Sequence, residues 1–222
     1  MPLTVCALKS WNAAACARIE ITDEGDEDMK KIWPAVLCLL FLCSCGKETD
    51  RAEVMQEQYK NLASYETDVR VSVPRGDETL VYALHLSAQG DAVRATVSEP
   101  EELAGVGAVL EGDKLTLTFD DLVLDVGTLS PRVSALSCVP LVLQNFPKVY
   151  LDSSGAETIG DIDALRADFS LTLSGETLAC SLWLDASGAP VYAEIAENDK
   201  IIAAAEFTNF IFGDILSPDA AQ

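Results

Sequence analysis

The sequence predicts an α+β domain, mainly antiparallel β: a curved, half-open β-barrel of about ten strands. An N-terminal helix and a short central helix are expected to cover its concave face. Three observations lead there. Apolar residues alternate with polar ones through most of residues 64–207, the mark of strands with one buried and one wet face. Glycine- and aspartate-rich turns separate these runs at short intervals. Two stretches break the period, one helical and one long and apolar. A single-layer sheet cannot leave its apolar face open, so it must curl, be covered by helices or hold something apolar.

The elements follow in order. Asp50 with Glu53 three residues on forms a capping box, and Met55, Tyr59 and Leu62 recur at i, i+4 and i+7 as one helical stripe. Val69, Val71 and Val73 then alternate with Asp68, Arg70 and Ser72. Pro74-Arg75-Gly76-Asp77 turns into Leu80, Tyr82, Leu84 and Leu86, and Gln89-Gly90-Asp91 turns into Val93, Ala95 and Val97. The clearest hairpin runs from Val106–Leu110 through Glu111-Gly112-Asp113 to Leu115, Leu117 and Phe119, with Leu122, Leu124 and Val126 beyond. From Pro131 to Phe146 the chain is too long and too apolar for a turn. Val133, Leu136 and Val139 suit a short helix there, which Pro140 should end or kink. A polar excursion, Asp152 to Asp163, precedes four strands: Arg166–Leu173, Leu178–Leu184, Val191–Glu197 and Ile201–Phe207.

Ahead of this domain stands an export signal. Lys30 and Lys31 form a basic n-region, and Ile32 to Ser44 form a short apolar core. A spanning helix needs about 20 apolar residues, so this core fits a secretory signal better. Leu42-Cys43-Ser44-Cys45 stands at its end, with Leu42 three residues before a cysteine and small Ser44 just before it. The fully polar Gly46-Lys47-Glu48-Thr49-Asp50 follows at once. The acidic block Asp23 to Asp28 directly precedes Met29 and opposes the charge bias that secretion uses. The economical expectation is that translation starts at Met29; a genuine extension before an internal signal is the rival. The expected organisation is an extension at 1–28, a signal peptide at 29–44, a short tether at 45–50, the domain at 51–216 and a tail at 217–222.

Residues 45–222 carry 30 acidic against 11 basic side chains, a net charge of −19. Such a surface repels nucleic acid and anionic headgroups. It favours a basic partner or divalent counter-ions, or simply keeps an exported protein soluble. Of the seven cysteines, Cys6 and Cys16 lie in the extension and Cys38 and Cys43 leave with the signal. With Cys45 at the cleavage point, only Cys138 and Cys180 remain, and outside the membrane two leftover thiols form a possible disulfide. Cys180 also alternates with Leu178, Leu182 and Leu184, as a small buried hydrophobe would.

The one histidine, His85, lies between Leu84 and Leu86 on a strand, and no Gly-x-Ser-x-Gly elbow presents a nucleophile to it. Cys138, Cys180 and His85 have no metal-ligand spacing, and no phosphate or dinucleotide loop appears, so no cofactor is expected. Asp120 and Asp121 point to opposite faces of a strand. Asp161 and Asp163 lack the glycine and terminal glutamate of a calcium loop. Trp183 and Tyr192 read as packing or interface aromatics rather than a sugar platform. The expectation is a protein that is not an enzyme, with an extracytoplasmic hydrolase built on clustered carboxylates as the competing class.

Leu42-Cys43-Ser44-Cys45 resembles the lipobox of bacterial lipoproteins. That resemblance implies cleavage between Ser44 and Cys45 and a diacylglycerol thioether on Cys45. Three further stretches resemble the LolA/LolB-like superfamily of periplasmic lipoprotein carriers and their relatives: Tyr65-Glu66-Thr67-Asp68-Val69, Pro100-Glu101-Glu102-Leu103-Ala104-Gly105, and Leu184-Asp185-Ala186-Ser187-Gly188-Ala189-Pro190-Val191. Glu206-Phe207-Thr208-Asn209-Phe210 closes the fold in the same manner. The likeness covers most of Thr49 to Phe212 and looks nearest to lipid-anchored members of spore-forming Firmicutes, the clostridial germination lipoprotein among them. It implies an unclosed antiparallel barrel whose concave face binds acyl chains in the carriers, and, in the germination lipoprotein, a scaffold for a cortex amidase. A basic residue at the cavity mouth is a feature of the soluble carriers; Arg94 and Arg132 are the candidates here. The expected function is therefore that of a membrane-anchored envelope protein binding a hydrophobic ligand, such as an acyl chain, or a protein partner. The alternative is a sporulation scaffold for a cell-wall amidase. Its place would be the outer face of the cytoplasmic membrane, or the outer membrane in a Gram-negative host.

Overall fold

The twofold alternation becomes one continuous sheet. The computed structural model describes residues 46–128, 134–173 and 175–213. Helix α1 (Gly46–Lys60) leads into β1 (Ser64–Arg75), β2 (Glu78–Gln89) and β3 (Ala92–Glu99). A 3-10 turn (Glu101–Leu103) precedes β4 (Gly107–Glu111), β5 (Lys114–Phe119) and β6 (Leu122–Thr128). Helix α2 (Ala135–Asn145) then introduces β7 (Leu151–Ile159), β8 (Ile162–Leu173), β9 (Glu176–Leu184), β10 (Pro190–Glu197) and β11 (Lys200–Phe212). All eleven strands belong to one sheet in the order β6-β5-β4-β3-β2-β1-β11-β10-β9-β8-β7, left open between β6 and β7. The pairings are antiparallel throughout, and the first and last strands meet in the middle, Val69 opposite Phe207 and Val71 opposite Ala205.

The turns obey local chemistry. Glu111 and Lys114 close the β4–β5 hairpin around Gly112-Asp113, and Gly112 supplies the positive φ of +61° that such a turn requires. Side chains of one parity, including Val71, Leu84, Ala95, Leu110, Phe169, Cys180 and Leu182, are buried on the concave face. The other parity carries most of the charge and faces outward. The described residues share one hydrophobic core. Among the described residues no helix is long and apolar enough to cross a membrane.

The half-open sheet with two helices is the expected architecture, with three local corrections. The expected loop from Asp152 to Asp163 is largely strand β7. As an edge strand it buries little on either face, so its sequence carries no apolar alternation to read. Helix α1 starts at Gly46, so Asp50 and Glu53 lie within it rather than capping it. Pro140 neither ends α2 nor starts a new element: the helix runs through it to Asn145. The ring removes one backbone bond, but every residue from Ser137 to Leu143 is buried, and that packing holds the helix together.

Candidate functional site

The concave face is the natural place for a ligand, and α2 occupies it. Ser134 opens the helix, its N–H donating to Ser137 Oγ at 3.0 Å. The helix then lays Cys138, Val139, Val142 and Phe146, all 0–1% exposed, onto the sheet. Against it stand the small side chains Ala193, Ala203 and Ala205 together with Ile195. Alanines along β10 and β11 let the helix come close. The crevice left between them measures about 10 Å³, barely the space of one water and far below the roughly 300–1,000 Å³ of ligand sites.

Cys138 and Cys180 both lie in this interface as buried free thiols. Burial pushes each thiol up to about 12, so neither carries appreciable thiolate at neutral pH.

Helix α1 closes the other end of the concave face, towards β7 and β8. Ala52, Met55, Gln56 and Tyr59 share its buried stripe at i, i+3, i+4 and i+7. Gln56 Nε2 donates to the Phe146 carbonyl at 2.7 Å and the Val149 carbonyl at 3.1 Å. Tyr59 Oη donates to the Gly188 carbonyl at 3.0 Å, and its ring meets Phe146 edge-on at 5.3 Å. Beside it Tyr65 stacks on Phe210 at 5.3 Å. Among the described residues the Tyr65 hydroxyl is the one buried side-chain polar atom without a hydrogen-bond partner. Between α1, the β9–β10 turn and β11 lies an open depression of about 470 Å³, with Phe207, Phe210, Phe212, Pro190 and Val191 along its wall. Asp185 sits at its rim, committed to the turn through bonds accepted from Ser187 and Ala189.

Apolar surface remains exposed at the far end of the sheet. Phe119 on β5 is 44% exposed, and on β6 Leu122, Val123, Leu124 and Val126 range from 49 to 72%.

The outward face carries polar networks. His85 Nδ1 lies 3.0 Å from Asp68 Oδ1, and Asn209 Nδ2 donates to Asp68 Oδ2 at 3.0 Å. Those hydrogen bonds, Asn209 first, hold the Asp68 carboxyl below the usual carboxylate range. Among the described residues, no cluster of three or more His, Cys, Asp or Glu side chains could hold a metal. On β8, Asp168 accepts from Ser153 (2.6 Å), Ser181 (2.6 Å) and Arg166 (2.8 Å). The Arg166 guanidinium lies 5.0 Å from the Trp183 ring centroid. Trp183 packs on Tyr192 at 5.3 Å and donates to Glu157 at 3.0 Å. Trp183 is only 4% exposed and Tyr192 is half-buried, so the pair packs within the polar layer.

Arg94, one candidate for a basic residue at a cavity mouth, is exposed between buried Val93 and Ala95. It therefore points away from the concave face. Arg132, Ser44 and Cys45 lie outside the described residues, as do the extension at 1–28 and the signal segment at 29–44. Gln56 and Tyr65 escape the sequence reading. For Gln56 a signal exists: it is the polar member of an otherwise apolar helical stripe.

No protein-family model and no curated protein matches the chain. Among solved structures it is similar to a LolA superfamily protein from Nitrosomonas europaea: 12% identity, TM-score 0.43, covering 76% of this chain and 95% of that one. It is also similar to the Mycobacterium tuberculosis lipoprotein LppX, with 16% identity, TM-score 0.41 and 78% of this chain against 98% of that one. A third similarity is to the structure of the CwlD amidase from Clostridioides difficile in complex with the GerS lipoprotein. There the identity is 13% and the TM-score 0.33, over 88% of this chain and 97% of that one.

Proposed function

We propose that this chain is a lipid-anchored, extracytoplasmic envelope protein whose domain is a non-catalytic platform for a protein partner. One observation carries the choice of partner over lipid. Helix α2 fills the concave face down to a crevice of about 10 Å³, while apolar side chains stay exposed on β5 and β6. An acyl chain would have to displace Val139, Val142 and Phe146, among the most buried side chains of the domain. The segment from Lys30 to Cys45 supports the anchor through its charge, its length and its small residue before cysteine.

Native mass spectrometry of residues 46–222, purified without detergent, tests the platform. The expected result is the mass of the polypeptide alone; a co-purified fatty acid or phospholipid overturns it. For the anchor, Cys45→Ala should abolish acyl labelling and release the protein from the membrane fraction. Unchanged retention sinks that part. A second reading has one observation behind it: the depression of about 470 Å³ walled by Phe207, Phe210 and Phe212 is of ligand size. A small hydrophobic molecule seated there would appear as a stoichiometric adduct that Phe210→Asp removes. A narrower form of the platform reading is a sporulation lipoprotein holding a cell-wall amidase, which requires expression confined to sporulating cells.

A further inference from the structure

The sheet has two edges, and they are built differently. Edge strands expose unpaired backbone groups, and proteins normally blunt them with charge, polar residues or cover. Strand β7 is blunted in this way. Its residues include Asp152, Ser153, Ser154, Glu157 and Thr158, and Ser153, Thr158 and Glu157 are held by hydrogen bonds to Asp168, Asp163 and Trp183. Helix α1 packs beside it.

Strand β6 has the opposite character. Register with β5 sets Leu124 opposite Leu117 and Leu122 opposite Phe119 on one face, with Val123 opposite Thr118 on the other. Leu122 is 71% exposed, Val123 72% and Leu124 62%. Single exposed apolar residues need no explanation, but a contiguous set on both faces of a free edge does. The residues are strand formers in an extended conformation, so a further strand can pair there without rearrangement.

Charge selects the occupant. Asp120 and Asp121 precede β6 and Asp125 lies within it. The Asp125 carboxylate accepts from the Gly127 N–H at 2.8 Å and is fixed on the edge. A second copy would bring the same acids: two β6 strands paired antiparallel about Leu124 set their Asp125 side chains diagonal, roughly 7–8 Å apart. Each copy of residues 45–222 also carries a net charge of −19. An apolar strand flanked by lysine or arginine meets the edge with the opposite sign.

We propose that β6 is the docking edge for an extended segment of a protein partner, added as a twelfth strand to the eleven-stranded sheet. Its apolar residues cover Leu122 and Leu124, and its basic residues meet Asp120, Asp121 and Asp125. This rests on the platform reading above and specifies how the platform is used.

The test uses the mature chain, residues 45–222, and a synthetic strand peptide of about nine residues alternating valine with lysine. Binding is followed by fluorescence anisotropy, and its site by backbone amide exchange. The expected result is saturable binding that protects β6 amides and weakens with added salt. A peptide with glutamate in place of lysine, or the triple variant Asp120→Asn/Asp121→Asn/Asp125→Asn with the lysine peptide, should bind about three- to tenfold more weakly. Leu124→Glu, at an exposed position, should bind weakly while keeping its unfolding midpoint. The proposal is overturned by protection on any other element, by equal binding of both peptides, or by protection in the free monomer of the outward-facing β6 amides, those not paired with β5. A dimer joined through β6 in the free protein overturns it as well. None of these removes the platform reading, which falls only to a lipid mass in the detergent-free protein.

Discussion

The Gln56 side chain and the Phe146 carbonyl join the two helices through a 2.7 Å hydrogen bond. Phe146 caps the C-terminus of α2, where backbone carbonyls have no partner within the helix. Gln56 is 9% exposed and Phe146 0%, so water does not substitute readily. Truncating Gln56 leaves a buried acceptor unpaired, which costs about 1–3 kcal/mol. Gln56→Ala should therefore lower the urea midpoint with the denaturant slope unchanged. An unchanged midpoint would mean that α2 is held on the sheet by apolar packing alone.

The two buried tyrosines give a matched comparison. Tyr59 Oη donates to the Gly188 carbonyl, whereas Tyr65 Oη has no partner. Burial raises the pKa of both phenols, so both remain neutral and only the hydrogen bond differs. Tyr59→Phe should destabilise by about 1 kcal/mol, through a lost bond and an orphaned carbonyl. Tyr65→Phe should be neutral or stabilising by a similar amount, since a desolvated, unpaired hydroxyl is removed. Denaturation midpoints of opposite sign relative to the parent would bear this out.

Cys138 and Cys180, both free and buried with their thiols pushed up to about 12, should resist thiol reagents in the native domain at pH 8. In residues 46–222 both should react once the chain is unfolded without reductant. Failure of both to react after unfolding would show that they pair in the mature protein.

Much of this arrangement could be read in advance, for reasons that also explain the failures. Strands β1 to β5 and β8 to β11 show themselves because each has one wet face and one buried face over much of its length, and Val69, Val71, Leu84 and Leu86 fall where alternation puts them. The closure of the concave face by α2 follows from a run too apolar to remain exposed. Strand β7 is illegible because an edge with little burial has no period to display. Pro140 misleads because local propensity is weaker than the burial of seven consecutive residues. Alternation also does not reveal lateral order. Leu122, Leu124 and Val126 look like core residues in the sequence, and only the strand order places them on an open edge.

Asp168 gives the pH dependence of the fold. Burial by itself would raise its pKa, but hydrogen bonds from Ser153, Ser181 and Arg166, with the Arg166 charge, outweigh it and hold the carboxyl below its ordinary value. The folded state therefore keeps Asp168 ionised at pH values where the unfolded chain, near 3.9, is already taking up a proton. Between the two values the unfolded state binds more protons, so stability rises with pH. The contribution is complete above the unfolded value and is lost as pH falls through the folded one. Asp168→Asn keeps the size of the side chain while removing the charge. It should be less stable than the parent at pH 7, and the gap between their urea midpoints should narrow steadily below about pH 4. Arg166→Gln should reproduce part of the neutral-pH loss, because it removes one donor to Asp168 and the cation over Trp183 together. A gap that stays constant from pH 7 to pH 3 would assign the loss to packing and not to the ionised carboxylate.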